Sequence, residues 1–335
     1  MMITENVSLK DYNTFGIDVR ARWLSGFDSQ SSLGEVLAAR PGPLLILGGG
    51  SNILLTGDFD GLVLRNGIKG IELIREDGQY RYVRAGAGES WHGFVQYTLG
   101  RDWPGLENLS LIPGSVGAAP MQNIGAYGVE LKDVFYELSA YHLEEKKVYT
   151  FSLNDCEFGY RESAFKLRHK DRFVILDVTF RLPKTPHFHT EYGDIRMELE
   201  KMGVHELTIK AVSEAVTRIR RSKLPDPAQI GNAGSFFKNP TVSQAQLDAL
   251  KASFPDIVGY PRPVGIKLAA GWLIEQCGWK GYRKGDAGCH ARQALVLVNY
   301  GHATGREIYD LSEEILESVK AKFGVELERE VNIIS

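Results

Sequence analysis

Between Gly105 and Gly128 the chain reads GLENLSLIPGSVGAAPMQNIGAYG, with neither the 3.6-residue period of a helix nor the alternation of a strand. So long an irregular segment inside a compact domain is either functional or disordered, and its apolar content excludes disorder. The rest of the chain must therefore supply a core that holds it. That is feasible: 43% of the 335 residues are apolar and 24% are charged, the balance of a globular protein of about two domains. Cys156, Cys277 and Cys289 form no Cys-x-x-Cys pair and are odd in number, which argues against a disulfide framework. The opening MMITENVSLKDYN lacks a basic start followed by an apolar stretch. No run approaches the roughly 18 apolar residues of a membrane span. A cytoplasmic protein that avoids membranes is expected. The net charge of 39 − 42 = −3 lacks the basic surplus of a nucleic-acid binder.

Helices are expected over 33–40, 91–99, 212–221, 243–254 and 267–277, and strands over 43–47, 61–65, 71–75, 81–85, 134–150, 172–182, 294–299 and 325–334. The 172–182 run, RFVILDVTFRL, is the strongest strand. The last helix is the best defined. Thr304 and Glu307 make a T-x-x-E capping box, Ile308, Leu311, Ile315, Val319 and Phe323 recur at helical spacing, and Gly324 stands at the stop. KLPDP, from residue 223, is the clearest domain break, because the residue before a proline avoids helical geometry. Mixed strands and helices give an α+β class.

Three small-residue loops carry the candidate chemistry. In Leu47-Gly48-Gly49-Gly50-Ser51-Asn52, consecutive backbone N–H groups can form a nest for a phosphate, with Ser51 and Asn52 as added donors; a tight turn is the plainer reading. Ile53 stands where a dinucleotide fingerprint needs glycine, and no G-x-x-x-x-G-K-[ST] exists. The 112–120 loop, with Ile112, Pro113, Gly114, Ser115, Gly117 and Ala118, allows close approach of a ligand; it is either an ordered surface loop or, with the glycine run upstream, part of a cofactor cradle, the better reading. The third, GNAGSFFKNP, presents Ser235 between a glycine and two aromatics. It is not a G-x-S-x-G elbow, since position 237 is Phe; the serine is either part of a turn or a proton donor polarised by a neighbour. Arg161 can clamp a carboxylate, and Glu328 and Glu330 share one side of the closing strand, although solvated edges account equally for all three. His187, His189 and Glu191 gain no further ligand that would make a metal site, and His290 beside Cys289 reads as structural.

Taken together, NTFGI, LGGGSN, PGLENLSLIPGSVGAAPMQNIGAYG, FGYRES, EYGDI, KLPDP, GNAGSFFKNP, KLAAGWLIEQCG, ARQALVLVN and LEREV, in order over residues 13–331, resemble the UDP-N-acetylenolpyruvoylglucosamine reductases, also called UDP-N-acetylmuramate dehydrogenases. The resemblance implies the FAD-binding fold of the vanillyl-alcohol oxidase (PCMH) type in two subdomains, 1–70 joined by the C-terminal strand 325–335, and 71–222. A smaller α+β substrate-binding domain follows at 223–324. Non-covalent FAD would lie against Leu47–Asn52 and the 112–120 loop, with Asn123, Gly125 and Ala126 also contributing. NADPH would reduce the flavin. Hydride would then pass from flavin N5 to the methylene carbon of UDP-N-acetylglucosamine enolpyruvate, giving UDP-N-acetylmuramate for peptidoglycan, cell shape and division.

The family's proton donor falls on Ser235, its charge-stabilising arginine on Arg161 and its glutamate on Glu330. Tyr192 matches the covering tyrosine of the loop-bearing subtype, to which Tyr127 in GAYG also points. Lys223, Asn239, Lys267 and Gln293 match positions that hold the UDP-sugar. A monomer without a bound metal is implied. One departure stands out: the closing segment often reads L-x-P-E-V, and here Arg329 stands where proline is common. An FAD oxidase of the same fold and a non-catalytic UDP-sugar-binding protein are the alternatives.

Overall fold

An 11-residue run that is apolar on both faces belongs at the centre of a sheet, and Phe173–Pro183 is placed there. In the computed structural model, which describes residues 3–39 and 42–335, this strand lies third in a five-stranded antiparallel sheet. The order is Lys147–Ser152, Phe135–His142, Phe173–Pro183, Tyr80–Gly86, Ile71–Glu76. Its contacts divide the described chain into two compact units: 1–7, 21–50 and 60–222 form the first, and 8–20, 51–59 and 223–335 the second.

The first unit also holds a four-stranded sheet in the order Thr4–Ser8, Arg20–Phe27, Phe59–Asn66, Leu44–Leu47, the last pair parallel. Its helices are α1 (Gln30–Ala39), α2 (Trp91–Leu99), α3 (Ile195–Lys201) and α4 (Ile209–Lys223). Ser90 caps α2 by accepting from Gly93 N. Trp91, Phe94 and Phe180 pack together, with Phe94 and Phe180 ring centroids 4.7 Å apart, against the five-stranded sheet. Trp91 Nε1 donates to Leu109 O at 3.0 Å, which fastens the irregular 105–128 segment to that core. Short 3-10 turns, Glu107–Leu109 and Val116–Gln122, give the segment its order.

The second unit carries α5 (Gln244–Ser253), α6 (Ala270–Gln276) and α7 (Gly305–Phe323), two small antiparallel sheets, and a parallel pairing of Asn332–Ile334 with Ile53–Leu55. The capping box of α7 forms in both directions, and Gly324 closes the helix at φ 62°.

Several expectations need correction. The expected helix over 267–277 begins only at Ala270, because Ile266–Leu268 is a strand between Thr241–Val242 and Gly259–Pro261. Of the expected strand 325–334, only Asn332–Ile334 joins a ladder. The expected strand over 134–150 is a hairpin of two strands, turned at Lys146 with φ 56°. Arg40, the end of the expected first helix, lies outside the described residues. Thr4–Ser8, Arg20–Phe27 and α3 were not anticipated. Among the described residues, no helix is long and apolar enough to cross a membrane.

Candidate active site

In the first unit, Leu44–Leu47 runs into the glycine loop, which lies close against the 112–118 loop, main chain to main chain at Gly49 and Gly114. A Cβ on Gly48 would lie 2.4 Å from Ser115 Oγ, one on Gly49 2.8 Å from Gly114 Cα, and one on Gly117 2.5 Å from Ala87 Cβ. Side chains at these positions would force the loops apart. Their amides are used differently. Val116 N donates to Glu89 O, Gly117 N to Ala87 O and Ala118 N to Ser115 O, so three consecutive amides of the second loop are spent on the fold. Among the described residues, no protein acceptor takes the N–H of Gly48 or Gly49, and Gly50 turns the chain at φ 61°. A loop with unspent amides beside a wall of small residues suits an anionic ligand.

Further along the same segment, Asn123 is buried and left-handed at φ 43°. Its Nδ2 donates to Glu130 Oε2 and Gly159 O, both at 3.0 Å, and its Oδ1 accepts from Lys132 N. Both amide donors are thus spent, one within the 123–130 segment and one tying the 159–162 turn to it. In that turn Arg161 adopts φ 60°, and its Nη2 donates to Gly125 O at 2.8 Å. Gly125–Ala126 pairs with Val129–Glu130 around Tyr127 and Gly128. Tyr127 and Tyr192 come together: a Cβ on Gly128 would lie 3.4 Å from Tyr192 Cβ, and one on Gly193 3.7 Å from Tyr127 Cδ1. Buried Asn108 clips the two loops, its Nδ2 donating to Tyr127 O at 3.0 Å and to His189 O at 2.8 Å. His187 and His189 pack ring to ring at 4.8 Å, and Glu191 pairs with Arg196.

Sequence reasoning missed Asn108, His92 and Arg220. Arg220 Nε donates to Leu111 O at 3.3 Å, and burial, followed by the Arg161 charge, lowers its pKa against the pull of Tyr127. His92 Nδ1 accepts from Leu111 N at 2.9 Å, and burial with Arg221 and Arg220 nearby pushes its pKa down, which favours the neutral acceptor form. The signal for Arg220 was present: it continues the Val212, Val216 spacing of the buried face of α4.

In the second unit, the 235–239 segment lies antiparallel to the closing segment. Lys238 N donates to Glu328 O and Glu330 N to Phe236 O, both at 2.8 Å, around the Phe237–Arg329 bridge. This places half-buried Ser235 next to Phe236, which stands opposite Glu330. No protein group among the described residues hydrogen-bonds Ser235 Oγ, so its hydroxyl is available. Asn52, expected at the cofactor, donates from Nδ2 to Glu330 O at 3.3 Å and accepts from Asn332 N and Nδ2. Asn239 Oδ1 accepts from Ala270 N at 2.9 Å and so starts α6. Lys267 is buried and pairs in register with Tyr260, its Nζ 6.0 Å from the ring centroid. Gln293 Oε1 accepts from Leu295 N at 3.3 Å and lies 2.9 Å from where a Gly271 Cβ would stand. Lys223 is exposed at the end of α4. Arg161 belongs to the first unit, and Ser235 and Glu330 to the second.

A model of FAD binding domains matches residues 30–141, and a model of the C-terminal domain of UDP-N-acetylenolpyruvoylglucosamine reductase matches 226–334. Proteins carrying that reductase name are 54% identical in Pseudomonas putida, over 98% of each chain, and 53% identical in Chromobacterium violaceum, again over 98% of each. The Pseudomonas aeruginosa protein of that name is 53% identical over 99% of this chain and 98% of its own. The crystal structure of the Thermus caldophilus reductase superposes with a TM-score of 0.70 at 24% identity, covering all of both chains, which is a likeness of fold.

Proposed function

The chain belongs to the UDP-N-acetylenolpyruvoylglucosamine reductase family, and from that premise we propose that it reduces UDP-N-acetylglucosamine enolpyruvate to UDP-N-acetylmuramate in the cytoplasm, as a monomer, with FAD and NADPH. The residues present fit FAD. The missing side chains at Gly48, Gly49 and Gly117 and the unspent amides of Gly48 and Gly49 are what a diphosphate needs from a protein. Leu47, Gly48, Gly49, Gly50, Ser51 and Asn52 would hold it, with the 112–118 loop, Asn123, Gly125 and Ala126 as the other wall. When bound, the flavin supplies the hydride chemistry, taking two electrons from NADPH and giving them to the methylene carbon.

The protein's own task begins once that carbon has gained hydride. Negative charge then develops on the neighbouring carbon and its carboxylate, and the Arg161 guanidinium can stabilise it with paired N–H donors. The Ser235 hydroxyl gives its proton to the carbanionic carbon, completing the saturated ether. An ionised Glu330 would oppose the developing charge, so the reading assigns it a protonated, donating role. Tyr127 and Tyr192 cover the nucleotide, while Lys223, Asn239, Lys267 and Gln293 hold the UDP-sugar. The observation that supports this reading is the pairing of 236–238 with 328–330, which ties the segment carrying an unengaged serine hydroxyl to the segment carrying Glu330.

An anaerobic visible spectrum tests it. A yellow protein that bleaches with NADPH and recovers its colour on adding UDP-N-acetylglucosamine enolpyruvate is expected. A protein still colourless after incubation with FAD would sink the reading. Recovery of colour only with oxygen would favour an oxidase.

A further inference from the structure

Glu330 sits on a segment with very little regular pairing. Between Gly324 and Asn332 one bridge is recorded, and its hydrogen bonds run through Glu328 O and Glu330 N. The main chain of Arg329 takes no part in them. Its side chain instead reaches α7. Nε donates to Ser312 Oγ at 2.8 Å, Nη2 makes a 2.7 Å ion-pair contact with Glu313 Oε1, and the guanidinium carbon stands 4.5 Å from the Tyr309 ring centroid. The Nη2 contact is electrostatic rather than a directed hydrogen bond. Tyr309, Ser312 and Glu313 are spaced i, i+3, i+4 and so form one patch of the helix surface. That helix is capped at both ends and buries Ile308, Leu311, Ile315 and Val319, so it is a firm anchor. On the other side of the segment, Glu328 Oε1 accepts from Lys238 Nζ at 2.6 Å; the lysine side chain is 7% exposed.

We propose that Arg329 is a positioning residue: its clamp on α7 holds the backbone from which Glu330 is presented. The inference rests on the role given to Glu330 above. It also accounts for an arginine where a proline is common. A proline restrains φ through its ring, whereas here a side chain anchored on a helix does the restraining. The position tolerates either because its N–H is outside the bridge.

The test compares Arg329→Met, Glu313→Gln and the double variant, each as FAD-loaded protein. Hydrogen exchange at the Glu330 amide should quicken in both single variants. Stopped-flow should show flavin reduction by NADPH unchanged and reoxidation by the UDP-sugar slowed roughly tenfold in Arg329→Met, with KM within about twofold. The double variant should be no slower than Arg329→Met, since both changes open one clamp. Unchanged exchange at Glu330, equal losses in the two half-reactions, or losses that multiply in the double variant would each overturn the proposal. Exchange is read without substrate, so it decides the positioning claim even if the wild-type protein fails to reduce the UDP-sugar, and that failure would count against the functional reading instead.

Discussion

The glycine loops of the first unit and the strand pairing of the second meet the same demand, close approach of two segments, in opposite ways. At Gly49 two loops touch main chain to main chain, at Gly48 the main chain meets the small side chains of Ser115 and Ala118, and both glycine amides are left unspent. In the second unit, Gly231 and Gly305 approach just as closely; a Cβ would lie 2.2 Å from Phe15 O and 1.8 Å from Leu55 O. Those contacts serve packing, and the proposed function gives the chemistry there to the side chains of Ser235 and Glu330. A missing side chain is therefore not in itself a mark of a site. In the first region the close approach is joined by two neighbouring amides, Gly48 and Gly49, that take no protein acceptor among the described residues.

The strongest way to break this contrast is Ser235→Ala. If side chains do the chemistry in the second unit, UDP-sugar reduction should fall by ~10²–10⁴-fold, the range for a lost general acid. FAD content and the NADPH half-reaction should not change. Rapid-reaction traces of the two half-reactions decide it: full-rate reoxidation by the UDP-sugar would remove Ser235 from the mechanism.

Gly49→Ala probes the other region. The added methyl meets Gly114 Cα at 2.8 Å and Gly114 C at 3.3 Å, atoms of the main chain that cannot swing aside. Overpacking of this kind costs about 1–3 kcal/mol, which corresponds to a loss of roughly 5- to 150-fold in FAD affinity if it falls on the bound state. Gly34→Ala in α1 is the control, since nothing lies within 4 Å there; it should bind FAD normally and gain a little stability. Equal flavin titrations for the two variants would mean that the bare main chain at Gly49 is not part of a cradle.

Legibility in the sequence followed the same divide. The glycine loop, the small-residue loop and the capped α7 are written in adjacent residues, so local rules expose them. α7 was visible from Thr304 to Gly324 because its cap, apolar stripe and stop all agree. The strand Ile266–Leu268 read as helix because its neighbours Ala269–Gln276 are helix formers, whereas its actual partners, Thr241 and Tyr260, are set by distant pairing. The Lys238–Glu328 pair lacks a local signal for the same reason, since its members are 90 residues apart. Ser235 and Glu330 were singled out from their own segments and took their roles from family likeness, but the bridge that aligns those segments has no local signal.

Glu107 sharpens the comparison most finely, with the smallest effect. It is a carboxylate inside the backbone-driven region, 2% exposed, and its Oε2 accepts from Gly105 N at 2.7 Å. Burial raises its pKa above the usual 4.5, against the opposing backbone hydrogen bonds and the nearby His189. A folded-state pKa above the unfolded one means the folded protein binds the extra proton. The associated stability is therefore present below about pH 4.5 and is lost as pH rises through the folded pKa. Glu107→Gln keeps an acceptor for Gly105 N without a charge to bury, so its melting temperature should decline less than that of the wild type from pH 4.5 upward, a difference of about 1 kcal/mol or less. Both half-reactions should run at wild-type rates. Parallel melting curves across that window would mean the carboxyl is not held by burial, and a slowed UDP-sugar step would add Glu107 to Arg161 among the first-unit side chains that serve the reaction.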